Sequence, residues 1–103
     1  MCEEASAGEA LAGVKVLDLT HHVAGPYCTK LMADFGADVV KVERPEGDPA
    51  RRMPPFMHGE AVPDWSLLFL YLNTNKQGVT LNLKPSRGLE MLKSLASESD
   101  VLV

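Results

Sequence analysis

The feature that most constrains the fold of this chain is the stretch of residues 13–52, in which two apolar segments flank an amphipathic one. Residues 14–19 (VKVLDL) and 38–43 (DVVKVE) have the aliphatic, β-branched composition of buried strands. Between them, apolar residues recur at the i, i+3, i+4 and i+7 positions of one helical face: Cys28, Leu31, Met32 and Phe35. Two such strands around a short helix form a βαβ unit, which requires a parallel strand pair and a right-handed crossover.

The rest of the chain extends this unit into a larger sheet. We expect Pro26 at the first position of the helix and Gly36 in its left-handed C-terminal cap. The later predicted elements are a short helix over residues 65–72 capped by Asp64, a strand over 78–83, a helix after Pro85 and Ser86, and a strand over 101–103. The apolar helical positions are predicted to be core: Leu31, Met32, Phe35, Leu89 and Leu92. The fold class is therefore α/β, a Rossmann-like open parallel sheet of βαβ units.

Length and composition exclude several classes of protein. With 103 residues the chain forms one domain at most, and we expect a disordered tail over residues 1–10 and the domain over 11–103. A net charge of −4 offers no basic surface for nucleic acid. Two cysteines, no signal peptide and no apolar run long enough for a membrane span favour a cytoplasmic protein without membrane contact. Because a buried strand over 101–103 rarely ends a chain, we expect a fragment, truncated after the fourth strand.

The loop over residues 20–26 (THHVAGP) is the first candidate site. It has one glycine where a dinucleotide-binding loop has the G-x-G-x-x-G pattern, so an NAD or FAD site is disfavoured. His21 and His22 are either solvated loop residues or pocket residues able to transfer protons. A metal site formed by these histidines and Cys28 is disfavoured, because adjacent side chains point apart and no carboxylate completes the set.

The end of the second predicted strand is the second candidate site. Arg44 follows Glu43 there, and its planar guanidinium can stack on an adenine ring or pair with phosphate. The alternative is a surface ion pair among Lys41, Glu43 and Arg44, which would contribute little to stability.

Later motifs add further candidates. Residues 73–76 (NTNK) and 81–84 (LNLK) surround the third predicted strand, and Lys76 and Lys84 either solvate the strand ends or, for Lys84, bind phosphate. Residues 47–52 (GDPARR) place Arg51 and Arg52 in a long loop that suits a lid or a contact with a partner chain.

Taken together, these motifs closely resemble the N-terminal segment of the class III CoA-transferases (the CaiB/BaiF family), which includes formyl-CoA and carnitine CoA-transferases. The matching features are the A-G-P loop ending, Glu43-Arg44, the G-D-P-x-R run and the N-x-N-K and L-x-L-K pair, over about residues 11–103. One departure is Asn82, which stands where family members more often have aspartate.

The resemblance implies coenzyme A as the ligand, in the form of an acyl-CoA substrate, and no metal. It assigns CoA contacts to these residues: Val23, Ala24, Arg44, Leu81, Asn82, Leu83 and Lys84. Family members transfer CoA to a carboxylic acid acceptor through an aspartate nucleophile that lies downstream of the segment matched here. Because that nucleophile lies outside the matched segment, the resemblance implies that this chain alone is inactive. Family members are homodimers in their full-length form.

Two alternatives remain open from the sequence. The racemase branch of the same superfamily has a similar opening segment. A non-catalytic Rossmann-like module that binds nucleotides or another protein would need no downstream chemistry. The sequence does not indicate which acyl group or which acceptor acid is used.

Overall fold

The computed structural model describes residues 9–103, which form an open sheet of four parallel strands. The strand order is β3-β2-β1-β4, and the strands are β1 (Lys15–Asp18), β2 (Asp38–Glu43), β3 (Gln77–Thr80) and β4 (Val101–Leu102). Three α-helices lie between them: α1 (Ala24–Asp34), α2 (Leu67–Leu72) and α3 (Ser86–Ser97). The predicted α/β class with an open parallel sheet is confirmed.

The strand register brings the carboxyl ends of the first three strands to one edge. β1 pairs with β2 up to Asp18 opposite Lys41, and β2 pairs with β3 up to Glu43 opposite Thr80. The bounds predicted for β2 are those observed, whereas the third strand ends at Thr80 and not at residue 83. Leu81–Lys84 therefore form a loop at the same edge as the loops that follow β1 and β2.

The sheet has an apolar core on each face, because successive strand residues point to opposite sides. One face packs Val16 and Val39 against Ala33 of α1. The other packs Leu17 and Val42 with Leu81, against the partly buried side chains of α3: Leu92, Leu95 and Ala96. Helices α1 and α3 therefore cover opposite faces of the sheet, as right-handed crossovers on the two sides of a parallel sheet require.

The predicted buried face of α1 is wrong. Leu31 and Phe35 are 38% and 56% exposed, and Cys28 is exposed, while Pro26, Thr29 and Ala33 are buried. The physical reason is a buried hydrogen bond. The Thr29 hydroxyl donates to the buried Asp18 carboxylate at 2.7 Å, so the helical face that carries Thr29 must lie on the sheet. Of the remaining core predictions, Met32 and Leu92 pack against the core, whereas Leu89 is 41% exposed.

The predicted ends of α1 have different outcomes. The helix begins at Ala24, so Pro26 is its third residue, where a missing N–H breaks no helical hydrogen bond. At the other end Gly36 has φ +102, and its N–H donates to Ala33 O. Ala37 N–H donates to Met32 O, which completes a Schellman motif and confirms the predicted cap.

The long connection between β2 and α2 contains three short 3₁₀ helices: Pro49–Arg52, Met57–Gly59 and Pro63–Trp65. Ser66, not Asp64, caps α2, since its buried Oγ accepts from the Phe69 N–H at 3.2 Å. The Asp64 carboxylate instead accepts from Arg51 Nη1 at 3.0 Å, so the predicted cap residue is held by another partner.

Most of the tail predicted over residues 1–10 lies outside the described residues, so its disorder stays a prediction. Within residues 9–103, none of the helices has the length and apolar character needed to cross a membrane.

Candidate ligand-binding site

A cavity of about 390 Å³ lies at the carboxyl edge of the sheet, between the loops that follow β1, β2 and β3. Its lining combines apolar strand ends with charged loop residues: Leu19, His21, Val42, Arg44, Pro45, Glu46, Leu81, Asn82, Leu83 and Lys84. Ligands of open α/β sheets bind outside the carboxyl ends of the strands. The cavity therefore occupies the position at which the fold favours ligand binding.

Most of the residues singled out from the sequence meet in this cavity. The loop after β1 contributes His21, the loop after β2 contributes Arg44, and the loop after β3 contributes the rest: Leu81, Asn82, Leu83 and Lys84. His22, Val23 and Ala24 are exposed and do not line it. They continue from His21 into the N-terminus of α1, where Val23 is the residue before the first helical turn.

Arg44 and Lys84 are the cations of the cavity, and both are exposed. Within residues 9–103 the only ion pair of Arg44 is with Glu46, at 3.8 Å between Nε and Oε2. The alternative of an ion pair with Lys41 and Glu43 is wrong, because both of those side chains are buried and bind other residues. The Arg44 guanidinium can therefore reach a ligand in the cavity.

Buried ion pairs lie directly beneath the loops of the cavity. Lys41 Nζ donates to Asp48 at 2.8 Å, and both side chains are almost fully buried. Lys76 Nζ donates to Asp18 at 3.0 Å and also to Pro26 O and Asn73 Oδ1. The alternative that Lys76 only solvates a strand end is therefore wrong, because its side chain is buried.

Hydrogen bonds keep the two buried aspartates ionised. Burial raises the pKa of Asp18, but hydrogen bonds from Thr20, Thr29 and Lys76 outweigh it, so the pKa is lowered overall. For Asp48, burial likewise raises the pKa, and hydrogen bonds from Lys41, Ala50 N–H and His22 N–H outweigh it. Burial lowers the pKa of Lys76, and the bond to Asp18 offsets only part of that effect.

Arg51 belongs to this network and not to a lid. Its guanidinium donates to both carboxylate oxygens of Glu43 at 2.8 Å, which lowers the pKa of Glu43 against the opposing effect of burial. It also lies 3.9 Å from the centre of the Phe69 ring. The sequence contained a signal for this network: charged residues at Asp18 and Lys41 interrupt strands that are otherwise apolar.

No group of three or more histidine, cysteine or acidic side chains within residues 9–103 is arranged to hold a metal ion. What the cavity offers is two cations, one imidazole and apolar walls, a set suited to a ligand with anionic and apolar parts.

Comparison with known proteins identifies the family. A sequence model described as CoA-transferase family III matches residues 11–103. The chain belongs to CoA-transferase family III. It is 47% identical over 94 residues to the succinyl-CoA:mesaconate CoA-transferase of Haloarcula marismortui, covering 91% of this chain and 24% of that protein. It is 48% identical over 98 residues to the formyl-CoA:oxalate CoA-transferase of Streptomyces coelicolor, covering 92% of this chain and 22% of that protein.

Solved structures of similar proteins share the fold. A CaiB/BaiF family protein from Brucella suis matches with a TM-score of 0.81 and 37% identity, covering 91% of this chain and 25% of that one. A hypothetical protein from Mycobacterium tuberculosis matches with a TM-score of 0.78 and 34% identity, covering 92% of this chain and 25% of that one. The chain thus spans about a quarter of the length of the relatives it matches.

Proposed function

We propose that this chain is the CoA-binding segment of an enzyme that transfers CoA between carboxylic acids. One observation carries the proposal: Arg44, Lys84 and the 81–84 loop converge on one cavity at the carboxyl edge of the sheet. CoA has a phosphorylated nucleotide at one end and an uncharged pantetheine arm with methyl and methylene groups, which fits a cavity with cations and apolar walls. Membership of CoA-transferase family III supports the same ligand.

The residues predicted to contact CoA have different roles in this proposal. The Arg44 guanidinium stacks on the adenine or pairs with a phosphate, and Lys84 supplies a mobile point charge to a second phosphate oxygen. Leu81, Asn82 and Leu83 contact the nucleotide partly through their main chain. Val23 and Ala24, which lie outside the cavity, contact the end of CoA that leaves it.

We propose that the nucleophile is an aspartate supplied from outside this chain. In the proposed reaction its carboxylate attacks the acyl-CoA thioester and expels the CoA thiolate, which leaves a mixed anhydride. The thiolate then attacks the aspartyl carbonyl of that anhydride, which releases the donor acid as a carboxylate and forms an enzyme-bound CoA thioester. None of the aspartates within residues 9–103 lines the cavity. Asp18 and Asp48 are buried in ion pairs, which supports a structural role for them. The chain alone is then expected to bind CoA without transferring it.

The proposed substrates of the whole enzyme are an acyl-CoA and a carboxylic acid acceptor, in a cytoplasmic homodimer. The relatives from Haloarcula marismortui and Streptomyces coelicolor are both named as CoA-transferases, which favours transfer over the racemase alternative.

Calorimetric titration with CoA tests the binding claim. We expect Arg44→Ala to weaken CoA binding by roughly 10- to 100-fold, because a charge-assisted hydrogen bond is worth about 1.5–3 kcal/mol. Lys93→Ala is the matched control, since it removes one exposed cation from α3 outside the cavity and should leave the affinity unchanged.

Two results would contradict the proposal. One is a folded chain, by circular dichroism, that gives no heat with millimolar CoA. The other is tighter binding of NAD than of CoA, which would instead indicate a general nucleotide-binding module.

A further inference from the structure

Two further hydrogen bonds of the Lys41–Asp48 ion pair flank a single residue of the cavity. Lys41 Nζ donates to the carbonyl oxygen of Thr20 at 2.9 Å. The His22 N–H donates to Asp48 Oδ1 at 3.1 Å. Thr20 and His22 are the neighbours of His21, so the ion pair holds the backbone on both sides of that residue.

These two hydrogen bonds help to offset the free-energy cost of the backbone conformation at His22. His22 has φ 68, a left-handed conformation that costs free energy for a residue with a side chain. Lys41 is 2% exposed and Asp48 is fully buried, so their hydrogen bonds to the loop are shielded from water. The backbone around His21 is therefore held in a conformation that it would not readily adopt alone.

The imidazole held in this way has an unused polar atom. His21 lines the cavity, and its Nε2 is buried without a hydrogen-bond partner anywhere in residues 9–103. A buried polar atom without a partner is costly, and on a residue that lines a cavity it is satisfied when the ring turns toward a ligand that brings the complementary group. Arg44 and Lys84 line the same cavity, with Glu46 as its one acidic residue among residues 9–103, so an anionic group is the ligand chemistry that fits.

We propose that Lys41 and Asp48 are positioning residues that hold His21 so that its Nε2–H donates to a phosphate oxygen of the ligand. The proposal rests on the proposed function, because it takes CoA as the source of the phosphate. In it, Arg44 and Lys84 supply charge, and His21 supplies a directional hydrogen bond that fixes where the phosphate lies.

The His21 contact is tested by substitutions at the loop. We expect His21→Ala to weaken CoA binding about tenfold, which corresponds to about 1.4 kcal/mol. His21→Gln should restore part of the affinity, because its side-chain amide can donate from nearly the position of Nε2. Equal affinity of wild type and His21→Ala for CoA overturns the proposal.

The positioning role is tested by two buried lysines that form a matched pair. The Lys41 and Lys76 side chains are each 2% exposed and each pair with a fully buried aspartate, but Lys41 bonds directly to a neighbour of His21, whereas Lys76 is linked to one only through Asp18. Below the unfolding temperature of both variants, Lys41→Met should weaken CoA binding at least tenfold and Lys76→Met less than threefold. Equal losses would reduce Lys41 to a purely structural role and overturn the positioning claim.

A spectroscopic measurement tests the ligand contact in the wild-type chain and the positioning role in one variant. In wild type, the side-chain ¹⁵N resonance of His21 Nε2 should shift as CoA is added, and Asp48→Asn should displace that resonance before any ligand is present. An unmoved resonance in ligand-saturated wild type contradicts the proposal. Absence of any CoA binding by wild type contradicts the proposed function instead, while the Asp48→Asn comparison still tests the tie between Asp48 and His21.

Discussion

Asp18 shows how one residue joins the core to the site. Its carboxylate is fully buried at the end of β1, and it accepts hydrogen bonds from Thr20 in the loop, Thr29 on α1 and Lys76 before β3. A buried charge is tolerated only when it is paired and fully hydrogen-bonded. Asp18 therefore fixes three segments relative to the strand end from which the cavity opens.

Asp18→Asn should lower the free energy of unfolding by about 3–5 kcal/mol, because it leaves the buried Lys76 ammonium without a counter-charge. Urea unfolding monitored by circular dichroism measures the change. Asp34→Asn is the control: it removes a 2.6 Å ion pair with Lys30 on the partly exposed side of α1, which should cost only about 0.3–0.5 kcal/mol. Similar losses of unfolding free energy for the two variants would show that the buried Asp18–Lys76 pair stabilises the fold no more than the partly exposed Lys30–Asp34 pair does.

At the scale of elements, the cavity depends on how closely α3 approaches the loop before it. A Cβ atom added at Gly88 would overlap the carbonyl oxygen of Asn82, in the loop that carries Lys84 into the cavity. Glycine is needed at this position for space, since the backbone of the helix and the backbone of the loop are in direct contact.

Gly88→Ala should therefore destabilise the chain and weaken CoA binding, although alanine in place of helical glycine normally stabilises by about 1 kcal/mol. Gly78→Ala in β3 is the control, because a Cβ there meets no atom within 4 Å. Thermal unfolding and CoA titration of both variants make the comparison. A Gly88→Ala chain that is more stable than wild type and binds CoA equally would rule out the close contact.

At the scale of the whole molecule, the carboxyl edge of the sheet is held by a network of ion pairs. Three of the pairs join Asp18 to Lys76, Asp48 to Lys41 and Glu43 to Arg51, and the exposed Asp64 adds a further contact to Arg51. The residues of these three pairs come from β1, β2, the 3₁₀ segment after β2 and the turn before β3. Elements that are distant in sequence are thus joined by ion pairs where the apolar core ends.

Stability should consequently fall in acid. The pKa values of Asp18, Glu43 and Asp48 are all lowered in the folded state, so the unfolded chain takes up protons first as the pH falls. Their contribution is fully present above the unfolded pKa values of about 4 and is lost as the pH falls through the lower folded values.

Urea midpoints measured from neutral pH down to pH ~3 should show this loss below pH ~4. Glu43→Gln should make the dependence shallower, whereas Glu90→Gln on the exposed side of α3 should leave it unchanged. A midpoint that stays constant through the acid range would mean that these carboxylates are not stabilised by folding.

The sequence by itself determined the order of the elements, because apolar periodicity and cap residues act over a few neighbours. It predicted β2 at its observed bounds, the glycine cap at Gly36 and the three loops from which Arg44, His21 and Lys84 arise. The family was also evident, since its motifs recur in order along the chain.

Only the tertiary structure decided which face of α1 is buried and what the charged strand residues do. Thr29 and Asp18 lie far enough apart in sequence that no local pattern predicts their hydrogen bond, yet that bond turns Leu31 and Phe35 outward. In the same way, Lys41 and Asp48 bind the residues on both sides of His21 only once parallel pairing has brought the strand ends together. Side-chain partners across a sheet depend on register and burial, and those exist only in the folded chain.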